Sequence, residues 1–216
     1  METWGDGPPV YLVHGWGGWR GQLGAFVEPL LNRGCRVVAY DAPSHGDSGP
    51  GRHGARRTTG LEMMEALQAV VAEFGPPAGV VGHSLGGAVT VWALDDGLIT
   101  APRLGLVAPT IGPIPFIEAL VRHLGLSSRT QLAMLAYLES LLGKPADQFD
   151  ARHVAVALPP TLVVHDRGDR EVPYAEGVEL VEAWPTADLM TTEDLGHRRI
   201  LRDPKVVDRV AAFVSG

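Results

Sequence analysis

Val80-Val81-Gly82-His83-Ser84-Leu85-Gly86-Gly87-Ala88 is a β-branched run that meets a serine between glycines and then turns helical. It reads as a strand, a sharp turn and a helix start. A serine at such a turn sits in a strained backbone conformation where neighbouring Cβ atoms collide, so small residues are needed on both sides. Gly82 and Gly86 supply that space. The geometry lifts the Ser84 hydroxyl above the end of a sheet and aims the next backbone N–H groups at the same spot, near the positive end of a helix. The same residues also suit a glycine-rich turn whose serine merely caps a helix. Partners elsewhere in the chain must decide.

Three further segments carry suitable side chains. His14-Gly15-Trp16-Gly17-Gly18 follows an apolar run at residues 10–13, Asp169 lies in His165-Asp166-Arg167-Gly168-Asp169-Arg170-Glu171-Val172-Pro173, and His197 lies in Leu195-Gly196-His197. In this order of glycine loop, Ser, Asp and His, the chain resembles the α/β-hydrolase family, whose members carry an HG loop after an early strand, then G-x-S-x-G, then the acid, then the histidine. The resemblance covers nearly the whole chain, and three separately placed motifs in the right order are far more specific than one.

A serine hydroxyl is a weak nucleophile until a neighbouring base takes its proton, and histidine suits that task because its ordinary pKa lies near neutrality. Ser84 is therefore expected as the nucleophile, His197 as the base, and Asp169 as the carboxylate that fixes the imidazole tautomer and stabilises the imidazolium. The family's motif, followed position by position, implies the backbone N–H groups of Trp16 and Leu85 as oxyanion donors. Asp166 competes with Asp169 for the acid's place. The family's acid commonly stands a few residues beyond the strand in a turn closing with Val-Pro, which Asp169 matches through Val172-Pro173. Gly168 also frees the backbone to turn that carboxylate inward, whereas Asp166 fits better as a turn or capping residue.

Strand signals recur at residues 10–13, 36–40, 79–81, 103–108, 161–165 and 187–191, with helical periodicity between them at 22–32, at 61–74 and directly after Ser84. Alternation of this kind predicts an α/β fold with a mostly parallel, doubly wound sheet of about six strands covered by helices on both faces. Ligands bind such sheets at the strands' carboxyl ends, where His14, Ser84, Asp169 and His197 all fall. Family members generally open with an antiparallel hairpin, and with only nine residues before Val10 a reduced N-terminal hairpin is expected. Residues 109–158 break the alternation with about two apolar helices, at 114–124 and 130–142. Family members place a lid there, and Phe116, Met134 and Tyr137 are the candidate pocket residues. Extra core helices are the plainer alternative.

With 216 residues, one domain spanning 1–216 is the default. Hydrophobic residues at 45% and charged residues at 20% are ordinary for a globular protein, and no stretch approaches the ~20 apolar residues of a membrane span. A net charge of −7 argues against nonspecific nucleic-acid binding, which depends on neutralising phosphates. The N-terminus shows no secretory pattern, and the single Cys35 reads as a small core hydrophobe, so a cytoplasmic location is expected. No HExxH or comparable spacing is present among the eight histidines, so neither a metal nor another cofactor is expected. Nothing in the sequence specifies an oligomeric state.

The loop Asp41-Ala42-Pro43-Ser44-His45-Gly46-Asp47-Ser48 holds a second serine–aspartate combination, yet no histidine motif accompanies it, and ordinary turn chemistry accounts for it. Arg52, Arg56 and Arg57 follow, and are readable either as a solvated face or as a steering patch for an anionic substrate. His14, His83 and His165 read first as residues that shape loops or end a strand. The expected activity is a serine hydrolase that cleaves a small-molecule carboxylic ester or related acyl compound through an acyl-enzyme. A thioesterase, an acyltransferase, a carbon–carbon bond hydrolase or a perhydrolase fits the same triad, and a hydrolase-like ligand-binding protein is the alternative from a different class.

Overall fold

The apolar runs of the sequence lie edge to edge in one sheet. The computed structural model describes residues 1–216. Its strands are β1 (Glu2–Trp4), β2 (Pro9–Val13), β3 (Arg36–Ala39), β4 (Gly79–His83), β5 (Leu104–Val107), β6 (Thr161–Asp166) and β7 (Ala187–Thr192), in the order β1-β3-β2-β4-β5-β6-β7. All neighbours pair in parallel except β1, which runs antiparallel on the outer edge of β3. Strands parallel and covered on both faces must be apolar on both sides. Successive residues accordingly feed opposite cores. Tyr11, Val13, Val38, Val80, Leu104 and Leu106 pack into one, and Val10, Leu12, Val37, Val81 and Val107 into the other.

The first core is closed by α2 (Gly60–Phe74) through Met63, Met64 and Leu67, and by α3 (Leu85–Asp95) and α6 (Tyr174–Ala183). The second is closed by Leu30 of α1 (Val27–Leu31) and by Val206, Val207, Val210 and Val214 of α8 (Pro204–Ser215). No helix is long and apolar enough to cross a membrane.

The sheet departs from the sequence expectation in one strand. The expected reduced hairpin is a single three-residue strand, Glu2–Trp4, that pairs with β3 and not with β2, which makes seven strands in place of about six. Its residues are largely exposed, so no apolar pattern announces it. The helix expected over 22–32 is split into a 3₁₀ segment, Arg20–Phe26, and α1. Gly21 and Gly24 weaken an α-helix there. The apolar segment expected after β5 forms α4 (Pro113–Leu124) and α5 (Ser128–Leu142), followed by a 3₁₀ turn at Ala146–Phe149.

The chain passes from β2 outward to β3 and then returns across β2 to β4. The strand order therefore reverses between β2 and β4, and loops leaving two such neighbours diverge to open a crevice at their carboxyl ends. His14 follows β2, and Ser84 follows β4.

Candidate active site

Ser84 stands between β4 and α3 at φ 53°, ψ −125°, a left-handed conformation that costs about 1–3 kcal/mol for a residue bearing a Cβ. Its N–H donates to Val107 O at 3.0 Å, which fixes the turn against β5. The glycines around it are demanded by contact. A Cβ on Gly82 would lie 2.7 Å from Gly87 Cα, and one on Gly86 would lie 2.3 Å from Val13 O. One on Gly15 would meet Ser84 Cβ at 2.8 Å. The loop after β2 is thus brought directly against the serine.

Two histidines fasten that loop. His14 Nδ1 donates to Gly15 O at 2.8 Å, and its Nε2 accepts from Ala42 N at 3.0 Å, which sets the tautomer. Burial lowers its pKa, and that neutral form is the one the Ala42 contact requires. His45 accepts from Gly17 N at 3.0 Å through Nε2 and reaches Pro43 O through Nδ1. Trp16 N–H, between these anchors, donates to no protein acceptor. Leu85 opens α3, so its N–H has no acceptor within the helix. Both residues, like Ser84 and His197, line one cavity of about 1090 Å³.

His197 lies in the short helix α7 (Gly196–Arg199), and its Nδ1 is 2.7 Å from Asp169 Oδ2. The other oxygen, Asp169 Oδ1, accepts from Glu171 N at 2.8 Å and Val172 N at 3.0 Å. Burial pushes this carboxyl's pKa up, but hydrogen bonding from His165, His197 and Val172 N outweighs it and holds the group well below the usual carboxylate range. An ionised carboxylate only accepts, so the His197 proton sits on Nδ1, and Nε2 keeps its lone pair. His197 and Asp169 are thus joined across two strand ends, and His197 lines the same cavity as Ser84 at a third.

Asp166 has a different neighbourhood. Its buried carboxylate accepts from Gly168 N at 2.9 Å, Thr192 Oγ1 at 2.8 Å and Leu195 N at 3.0 Å, and so ties β6 to the loop that carries His197. The loop after β3 is likewise engaged in structure. Buried Asp41 receives Arg20 N at 2.7 Å and Asp47 N at 3.0 Å and pairs with the Arg20 guanidinium. Ser44 and Ser48 donate their hydroxyls to Arg57 O and Asp41 O. Of the expected pocket residues, Phe116 and Tyr137 line the cavity; Met134, one helical turn before Tyr137 on α5, is not among the lining residues.

Two supporting histidines escaped the sequence reading in their present roles. His165, fully buried in β6, lies with Nε2 3.1 Å from Val172 O and 3.5 Å from Asp169 Oδ2, on the carboxylate oxygen that also meets His197. His83 Nε2 donates to His197 O at 3.0 Å, with the two rings 4.6 Å apart. Burial and then the neighbouring His197 push the His83 pKa down to about 3. His83 sits directly before the serine, and that adjacency was the one available signal.

A stability consequence follows from His83. Its folded pKa lies below the ordinary value of about 6.5, so between those values the unfolded chain binds the extra proton. Stability is intact above about pH 6.5 and is lost as the pH falls toward about 3, at roughly 1.4 kcal/mol per unit. In His83→Gln the amide can still donate to His197 O but does not titrate. Urea unfolding between pH 7 and pH 5 should cost the native protein about 2 kcal/mol more than this variant. Equal losses in the two proteins would show that His83 is freely protonated in the fold.

The chain is similar to several known proteins. A family model described as the alpha/beta hydrolase family matches residues 10–210. A probable protein phosphatase methylesterase 1 of Caenorhabditis elegans is 33% identical over 119 residues, covering 53% of this chain and 32% of that protein. The chain thus spans about a third of the length of that relative. The magnesium-chelatase 30 kDa subunit of Rhodobacter capsulatus is 29% identical over 239 residues, covering 89% of this chain and 81% of that protein. Among solved structures, an esterase from Exiguobacterium antarcticum superposes with a TM-score of 0.74 at 17% identity, covering 100% of this chain and 94% of that one.

Proposed function

Because the chain belongs to the alpha/beta hydrolase family, we propose that it is a serine hydrolase that cleaves a small-molecule carboxylic ester through an acyl-enzyme on Ser84. The observation that carries this reading is His197, bonded to the buried carboxylate of Asp169 at 2.7 Å and lining the same cavity as a serine held at positive φ. Ser84 Oγ attacks the ester carbonyl as His197 Nε2 takes its proton. The tetrahedral oxyanion is met by Trp16 N–H and Leu85 N–H, each worth about 2.7–4 kcal/mol of barrier. Collapse expels the alcohol, which leaves with the proton from His197. Water, deprotonated by the same nitrogen, then attacks the acyl carbonyl and releases the acid and Ser84.

Residues 109–158 act in this reading as the lid, with Phe116 and Tyr137 against the acyl chain. Support comes from their place in the cavity lining and from how little α4 and α5 bury, which is Ile117 and Val121 in the one and Leu142 in the other. A second reading, favoured by the long alignment to a protein named as a magnesium-chelatase subunit and not as a hydrolase, is that the chain binds a ligand without turnover.

One experiment separates the two. A fluorophosphonate phosphonylates only a serine activated by a working base and oxyanion site, so labelling followed by peptide mapping should place the adduct on Ser84. An unlabelled, folded protein would leave the binding reading standing.

A further inference from the structure

The cavity's charge runs against that of the chain. Over the sequence, acidic side chains outnumber Lys and Arg by 25 to 18, yet the cavity lining contains Arg56, Arg57, Arg198, Arg199 and Arg202 and a single carboxylate, Glu171. Glu171 is already engaged, since Arg198 pairs with it at 2.9 Å. Arg56, Arg57 and Arg202 have no carboxylate partner. Arg199 is held by the carbonyls of Leu195 at 3.0 Å and Asp194 at 2.6 Å, which orient the guanidinium without neutralising it.

The two segments that present these groups are fastened in place. Arg57 O receives the Ser44 hydroxyl at 2.8 Å, and the chain then enters α2 through a reciprocal cap in which Glu62 N bonds Thr59 Oγ1 and Thr59 N bonds Glu62 Oε2. Glu62 also receives Arg52 N at 2.7 Å, so the loop is closed at both ends. Arg198 and Arg199 follow His197 within α7, and Arg202 ends the 3₁₀ turn after it. An exposed run of arginines on one helix would read as a solvated face. Here two segments more than 130 positions apart in the sequence converge on the cavity that holds Ser84. Cationic groups around a concave site focus the field there and raise the local concentration of anions. Guanidinium groups match carboxylate and phosphate oxygens in paired hydrogen bonds.

We propose that the ligand of this cavity carries an anionic group, a carboxylate or a phosphate monoester, which Arg56, Arg57, Arg199 and Arg202 bind while the ester carbonyl lies at Ser84 and the apolar part meets Phe116 and Tyr137. The proposal refines the hydrolase reading by naming the substrate's charge.

Matched substrates test it. On the acyl side, 4-nitrophenyl hexanoate is compared with 4-nitrophenyl hydrogen adipate and with 4-nitrophenyl 6-(phosphonooxy)hexanoate; on the alcohol side, methyl 4-acetoxybenzoate is compared with 4-acetoxybenzoate. On at least one side the charged ester should show kcat/KM at least tenfold above its neutral partner, and the acyl-side arms tell carboxylate from phosphate. The preference should shrink in 0.5 M NaCl through screening. In R56Q/R57Q and in R202Q it should fall several-fold, while R52Q, whose side chain pairs with Glu65 outside the lining, should keep it. Neutral esters cleaved as well as charged ones on both sides, or a preference unmoved by these substitutions, would overturn the proposal. Calorimetry with adipate and with neutral adipamide reads the anion site without turnover. Tighter binding of adipate that R56Q/R57Q abolishes upholds it even if no ester is cleaved, which would count against the hydrolase reading alone. Equal binding of the two refutes it.

Discussion

Ser84→Ala should abolish ester hydrolysis, lowering turnover by on the order of 10⁶, which matches what removal of a catalytic serine costs in a serine protease. That factor is a barrier increase of about 8 kcal/mol. Nothing comparable should happen to the fold. The side-chain hydroxyl holds no structural hydrogen bond, and the N–H that fixes the turn on Val107 O belongs to the backbone. Alanine keeps a Cβ at the same positive φ, so the strain is neither relieved nor increased. The change in unfolding free energy should stay within about 0.5 kcal/mol, as for substitutions that touch no packing feature. No other serine near the oxyanion loop can take over, since Ser44 and Ser48 donate to backbone carbonyls of their own loops. Rates on an aryl ester, set beside thermal unfolding of the same preparation, decide the matter. Near-normal turnover by a folded Ser84→Ala protein would remove Ser84 from the mechanism.

How far the sequence carried differs between fold and site, for physical reasons. Strands β2 to β6 are legible because strands buried on both faces must be apolar throughout, and their runs are short and bounded by turn residues. Strand β1 lacks that signal, since it holds its place by backbone pairing with β3 while its side chains face water. The split of the first helix turns on Gly21 and Gly24, which interrupt a helical propensity that the spacing of Leu23, Phe26, Leu30 and Leu31 still suggests. At the site, the ends of strands could be matched to chemistry because each motif residue lies within two positions of a glycine, and glycine marks where backbones approach. The supporting histidines could not be placed so. His83, His45 and His165 act through contacts with residues 114, 28 and 7 positions away, and pairings across such distances arise only once the sheet is assembled. The same limit explains Met134, whose helical period suits a buried face equally well at either end of α5, while only the C-terminal half of that helix reaches the cavity.

Asp169→Asn should slow hydrolysis by about 10⁴-fold, whereas Asp166→Asn should slow it less than tenfold and act on stability instead. The two side chains are both buried carboxylates at the end of β6, so burial alone does not separate them, and the identity of their partners does. Asp169 Oδ1 is occupied by Glu171 N and Val172 N, which an asparagine oxygen can still accept. The substituted amide would then face His197 Nδ1, where the carboxylate now accepts at 2.7 Å. An amide N–H there needs an acceptor, so the imidazole is driven to the tautomer with its proton on Nε2 and loses the lone pair that removes the Ser84 proton. In a serine protease the same exchange leaves geometry intact and costs about 10⁴ in turnover. Asp166 has no histidine among its partners. Its oxygens accept from Gly168 N, Thr192 Oγ1 and Leu195 N, and an amide group in place of one oxygen leaves a buried donor unmatched, at about 1–3 kcal/mol. Leu195 lies two residues before His197, so some of that disturbance reaches the base. The base is held independently, though, by His83 Nε2 on His197 O and by the Arg199 guanidinium on Leu195 O and Asp194 O. A rate loss below tenfold, or less than ~1.4 kcal/mol of barrier, is therefore expected for Asp166→Asn. Steady-state rates and urea unfolding on both variants test the two statements together. If Asp166→Asn proved the slower enzyme while Asp169→Asn mainly lost stability, the acid of the triad would have to be Asp166.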